Sequence, residues 1–202
     1  MNTKNKIAMA LASLILAGIY LVPIWSINLQ APQYPEGIGL KIWVDKIQGQ
    51  KKQDLQNING LNHYIGMKPI HSESIPELKL MPYFFGFLIV SGLGVAVWGN
   101  RKALLVWIVL FTVMALAGLI DFYIWEYDYG HNLNPDAPIK IPGMSYQPPL
   151  IGTKQLLNMR TTSMPDIGFW LAILSLSIGT TVWWKSRPSK EEDKRNQNEG
   201  ND

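Results

Sequence analysis

The sequence predicts a mainly α membrane protein: a four-transmembrane-helix bundle with a small α+β extracytoplasmic cap built from two loops. Four apolar blocks nearly free of charge punctuate the 202 residues, at 7–26, 82–98, 103–125 and 167–184. Lysine and arginine gather on alternate segments between these blocks, and the two long segments left over carry strand, helix and turn patterns of their own. The overall composition hides this, since 48% hydrophobic residues with a mean hydropathy near zero also describes a soluble protein.

Each block has roughly the 17–25 residues that a helix needs to cross a hydrocarbon core of about 30 Å, where every backbone N–H and C=O must be satisfied within the segment. The first follows Lys4 and Lys6, a pattern shared with secretory leaders. No small-x-small cleavage site follows in Ile27-Asn28-Leu29-Gln30-Ala31-Pro32, so residues 1–26 are expected to be a cytoplasmic end and an uncleaved anchor. The first outer segment, 27–81, opens with proline- and glycine-rich chain from Gln30 to Gly37, expected to be extended or turning. Leu40 to Asp45 mixes alternation with β-branched and aromatic residues, which predicts a strand ended by Gln48-Gly49-Gln50. Leu55, Ile58, Leu61 and Ile65 repeat at the helical period, and Gly66 and Pro69 end that helix.

Blocks two and three, with a short turn at 99–102, make 82–125 a helical hairpin. The second outer segment, 126–166, holds Pro135, Pro138, Pro142, Pro148, Pro149 and Pro165, which exclude long regular elements; only Gly152 to Met159 is expected to form a short helix. Its Ile139, Ile141, Met144, Tyr146, Leu150 and Ile151 are too apolar for a solvated linker, so ordered packing against the first outer segment is expected. After block four, the charged chain at 185–202 reads as a disordered cytoplasmic tail.

Lys4 and Lys6, Arg101 and Lys102, and Lys185, Arg187, Lys190, Lys194 and Arg195 mark three segments as cytoplasmic. The two long segments hold nine Lys/Arg spread over many more residues and interleaved with acids, so they face outward. Both termini then lie in the cytoplasm, as a multi-pass protein with an even number of spans requires. The net charge of +3 is orientation signal, and the lipid bilayer rather than nucleic acid is the partner it implies. Trp25, Tyr83, Trp98, Trp125, Trp170 and Trp184 near block ends form an interfacial aromatic belt.

The chemistry-bearing residues fall outside the blocks. Cysteine is absent, which removes disulfides, thiolate metal sites and cysteine nucleophiles. All three histidines, His63, His71 and His131, lie in the outer segments with five of the eight methionines. Imidazole with thioether suits copper, because sulfur favours the soft cuprous ion and imidazole accepts either oxidation state. The densest run is His63-x-x-x-Met67-x-x-x-His71, with Gly66 and Pro69 favouring a loop over one helical face. His131, directly after block three, is placed to join His63 and Met67, with Met144 as another soft donor. The plainer alternatives are a turn-capping His63, a core-filling Met67, a hydrogen-bonded interfacial His131 and a solvent-exposed His71. Asp121, inside the outer end of block three, should face helices or water with a partner such as Lys140, Lys154 or Arg160. No phosphate-gripping glycine loop, zincin histidine pair or nucleophile elbow is present, and so little polarity in the blocks makes a poor transporter; no enzyme activity is expected.

The strings Asn59-Gly60-Leu61-Asn62-His63-Tyr64-Ile65-Gly66-Met67, Tyr129-Gly130-His131-Asn132-Leu133, Pro138-Ile139-Lys140-Ile141-Pro142 and Gly152-Thr153-Lys154-Gln155 resemble an uncharacterised family of bacterial membrane proteins associated with nitrous oxide reductase gene clusters. In those clusters accessory proteins insert copper into a periplasmic enzyme of denitrification. The resemblance covers roughly residues 5–184 and implies copper handling on the outer face, at His63, Met67 and His131. The Met-Cys-Gly-Met pattern of the lipoprotein copper chaperone is missing, so the chain is not that protein. The expectation is a copper-binding accessory protein serving an extracytoplasmic metalloenzyme or other membrane accessory proteins. Its rival is a metal-free membrane scaffold or small subunit that docks partners through ordered outer loops.

Overall fold

A computed structural model describes residues 1–187; the expected tail beyond them lies outside the described residues. The fold is mixed α+β rather than mainly α. Helix α1 (Thr3–Ala17) leads through a 3-10 turn (Gly18–Tyr20) to strands β1 (Trp25–Ala31), β2 (Tyr34–Ile42) and β3 (Ile47–Gly49), then helix α2 (Asp54–Ile65). Helices α3 (Glu77–Trp98) and α4 (Arg101–His131) follow, then strands β4 (Gly152–Leu156) and β5 (Met159–Pro165) and helix α5 (Ile167–Lys185).

Three helices, α3, α4 and α5, are long and apolar enough to cross a membrane, where four were expected. The first expected span ends early because Pro23 has no N–H to continue a helix, and the apolar residues after it belong to a strand. The other two inner boundaries move the opposite way. Helix α3 starts at Glu77, and α4 continues past Trp125 to His131. At 1.5 Å per residue α4 is about 46 Å long, well over the roughly 30 Å of hydrocarbon, so its last turns stand outside the membrane-crossing part, 103–125.

All five strands pair antiparallel in the order β3-β2-β1-β5-β4. The central pairing joins the two outer segments, with Trp25 opposite Pro165 and Gln30 opposite Arg160. The proline- and glycine-rich opening of the first segment is therefore a hairpin, with Ala31 paired to Tyr34. The short helix expected at 152–159 is instead the β4–β5 hairpin, turning through Leu157 and Asn158 with Leu157 at φ 55°.

Two apolar cores result. One, in the cap, gathers Trp25, Ile27, Leu40, Ile58, Ile70 and Tyr129; the other, in the bundle, gathers Met9, Leu16, Leu88, Leu104, Trp107 and Phe111. Trp25 joins them. Its indole N–H donates to Ser163 Oγ at 2.8 Å while its ring meets Phe122 and Phe169 edge-on at 5.3 and 5.6 Å. In the bundle the helices approach over small residues: a Cβ on Gly92 would stand 2.4 Å from Ser13 Oγ, and one on Gly179 2.8 Å from the Trp107 ring.

At the end of the bundle away from the sheet, the Met1 ammonium donates to Gly99 O at 3.0 Å and Asn5 Nδ2 to Ser186 Oγ at 2.9 Å. Arg101 and Arg187 both lie over the Trp183 ring. The three lysine- and arginine-bearing segments thus gather at one end of the molecule, with the sheet at the other.

Candidate functional site

Two places in the cap collect chemistry-bearing residues. The first is an open groove of about 420 Å³ at the C-terminal end of α2, lined by Asn59, His63, Gly66, Met67 and Lys68 on one side and Asn132 to Pro135 on the other. Its near wall is held by asparagines. Asn59 pairs both ways with the Ile70 backbone, accepting from N–H at 2.7 Å and donating to C=O at 3.1 Å, and Asn62 Nδ2 donates to Lys68 O at 3.3 Å. These bonds fix the loop that carries Met67. Gly66 ends α2 at φ 82°, and a Cβ there would stand 3.0 Å from both Ala137 Cβ and Asn134 O. It is a glycine for its backbone and for the close passage of the second segment. Asn134 N–H donates to Gly66 O at 2.8 Å and Ile139 N–H to Tyr64 O at 2.9 Å, so the outer segments pack in order against each other as expected.

Of the four expected metal ligands, the structure brings His63 and Met67 to this groove. His63 is exposed and Met67 half-buried. His131, in the last turn of α4, stacks on Tyr127 at 4.0 Å with Nδ1 3.0 Å from the Tyr127 carbonyl, and it is not among the groove's lining residues. Met144 lies in a turn closed by its own N–H to Ile141 O and is likewise off the groove wall. His71 is exposed, as expected. Among the described residues no three His, Asp or Glu side chains gather closely enough to hold a metal ion. Asp121 is exposed and makes no ion pair among the described residues; none of Lys140, Lys154 and Arg160 pairs with it. The pair beside the groove is Lys68 with Asp128, at 2.7 Å, and this hydrogen bond holds the Asp128 carboxyl below the usual carboxylate range.

The second place is a cavity of about 80 Å³ enclosed by α2, the extramembrane end of α4 and the inner face of the sheet. Its walls are mostly apolar, including Ile27, Leu40, Ile58, Met67 and Met159. Glu126 points into it, fully buried, with both carboxyl oxygens unpaired. Burial pushes this carboxyl up to about 8, so it keeps its proton at neutral pH. The Trp125 indole N–H, the Tyr146 hydroxyl and the Thr161 hydroxyl are also buried without partners, and all line the same cavity. Gly130 lets the second segment close the wall: a Cβ there would be 2.4 Å from the Gln147 backbone, and Tyr146 N–H donates to Gly130 O at 2.9 Å.

This cluster escaped the reading of the sequence. Glu126 follows an apolar block, and a first acidic residue there ordinarily marks the membrane boundary. The signal that could have found it is the spacing of Trp125, Tyr129 and Glu126 on a helix that runs on. No protein-family model matches the chain, and no curated protein matches it.

Proposed function

We propose that this chain is a membrane-anchored accessory protein that binds copper on the extracytoplasmic face, through His63 and Met67, and hands it on during maturation of a metalloenzyme such as nitrous oxide reductase. The observation that carries the reading is that these two side chains line one open groove. Imidazole and thioether are uncharged, exchange readily and select a soft cuprous ion, as a carrier requires. His131 and Met144, which lie off the groove wall, are its further candidate ligands. The protein is not an enzyme in this reading.

Four spans belong to the same reading. With its 3-10 turn, α1 rises about 28 Å, close to the thickness of the hydrocarbon. Its outward residues Ile7, Leu11 and Leu14 are 53–58% exposed, which suits lipid and not water. Basic residues gathered at the bundle end support the same reading, with both termini in the cytoplasm of a bacterial inner membrane and the cap outside.

Titration of the purified protein with cuprous ion against a competing chelator, under reducing conditions, tests the proposal. A His63→Ala/Met67→Leu variant should lose most of the affinity. Equal affinity in variant and parent ends the copper reading. His131→Ala then reports whether that imidazole joins the site.

A second reading, the metal-free docking scaffold, is favoured by Ile139, Ile141 and Ile151, which stay 42–57% exposed on chain pinned by backbone hydrogen bonds. Under it, Ile139→Asp/Ile141→Asp should stop metalloenzyme maturation in cells while leaving the fold intact, and the His63/Met67 variant should not.

A further inference from the structure

Five of the six buried polar atoms that lack a partner among the described residues belong to four side chains lining one cavity. An unpaired buried polar group is costly, so their convergence points to a guest. The chemistry of the four narrows what it can be. Trp125 Nε1–H only donates, so the guest must accept, and a bare cation facing that N–H would be repelled. Protonated Glu126 donates once and accepts as well, and the Tyr146 and Thr161 hydroxyls do either. The guest must therefore both donate and accept in several directions. Size narrows it further: about 80 Å³ is short of the roughly 150 Å³ cavity that takes benzene, yet gives room for on the order of five waters.

We propose that this cavity is a hydrated proton-binding site, in which a small cluster of water molecules joins the carboxyl group of Glu126 to the indole N–H of Trp125 and the hydroxyls of Tyr146 and Thr161. No Lys, Arg, His or Asp lines the cavity from α2, α4 or the sheet; Tyr129 and Tyr146 are its other titratable groups. The Lys68–Asp128 pair is exposed at the surface. On ionisation the proton leaves Glu126 through the water cluster to bulk solvent. The carboxylate left behind accepts hydrogen bonds from the cluster and from hydroxyls turned toward it. The inference stands on the cap alone and holds whether or not the groove binds copper.

The test uses the full chain in detergent micelles. Infrared difference spectra between pH 6 and pH 9.5 should show one protonated-carboxyl band that disappears with a midpoint near 8 and is missing in Glu126→Gln. Thr161→Val should move that midpoint without removing the band. In the ¹⁵N-labelled protein the Trp125 indole signal, assigned by its loss in Trp125→Phe, should exchange magnetisation with water. A folded wild-type protein with no titrating carboxyl band, or an indole N–H that meets no water, overturns the proposal. Both readouts are taken on the wild type, so a Glu126→Gln variant that fails to fold leaves the test intact.

Discussion

Replacing Glu126 with glutamine should change how the stability of the protein depends on pH. The side chains are nearly isosteric, but glutamine never ionises. In the folded protein the Glu126 carboxyl is raised from 4.5 to about 8 by burial. Below pH 4.5 the carboxyl is protonated folded and unfolded alike and contributes no slope. Between 4.5 and 8 the unfolded chain has lost the proton while the folded one keeps it, so stability falls as pH rises, by up to about 1.4 kcal/mol per pH unit. Above 8 both forms are ionised and the loss is complete. The full rise sets a ceiling of roughly 5 kcal/mol, and screening by cavity water brings the expected loss to about 2–4 kcal/mol. Asp128 does not confuse the result. Its carboxyl is lowered from 3.8, so its own contribution is present above that value and disappears only below it. The assay is thermal unfolding in detergent from pH 5 to pH 9. At about 2–4 °C per kcal/mol for a chain of this size, the wild type should fall by roughly 4–16 °C more than the variant across that range. Parallel curves would show that Glu126 is already ionised near its ordinary value and that the cavity does not hold its proton.

Gly66→Ala should destabilise the cap by about 1–3 kcal/mol and distort the groove, because alanine at φ 82° is strained and its Cβ meets Ala137 and Asn134; equilibrium unfolding and cuprous affinity should both register it. Leu157→Gly should raise stability by up to about 1–2 kcal/mol, since leucine occupies a left-handed turn position at φ 55° that glycine adopts without penalty, and a lower melting temperature would refute that account. The chain has no native cysteine, so introduced ones report topology directly. Cysteines at Gln50 and Asn134 should react with an impermeant reagent in intact cells and one at Asn100 should not; the reverse pattern inverts the orientation.

The apolar blocks were legible because a helix in lipid needs a long run without charge, and α3, α4 and α5 each have one. The first block was drawn too long rather than misplaced, because hydropathy does not separate a helix from the apolar chain that follows it: α1 and its 3-10 turn end at Tyr20, ahead of Pro23, while Trp25 already belongs to β1. Helix α2 was legible from Leu55, Ile58, Leu61 and Ile65, and its end from Gly66. The β4–β5 hairpin was not, because Lys154, Gln155, Leu156 and Leu157 are good helix formers and the turn uses Leu157-Asn158 in place of a glycine pair. The alternation Met159, Thr161, Ser163, all buried, was its one strand signal, masked by polar side chains. For the site, Met67 follows the left-handed Gly66 and lies on the loop after α2, so it reaches the groove beside His63 through the chain turn that Gly66 and Pro69 signalled and not along a helical face. For the Glu126 cavity the local signal covers only the α4 wall, Trp125, Glu126 and Tyr129; the facing wall depends on pairing between distant strands, which no local pattern encodes.

The pairing of β1 with β5 sets a timetable for biogenesis. Strand β1 leaves the ribosome early, yet one of its two neighbours begins at Met159, near the end of the described chain. Until the last hairpin is made, β1 has β2 on one side and a bare row of N–H and C=O groups on the other. Contacts so far apart in sequence close slowly. The edge of β1 that faces β5 is therefore the last part of the sheet to be covered, and a chain interrupted before residue 159 would leave it open to proteases and to other strands.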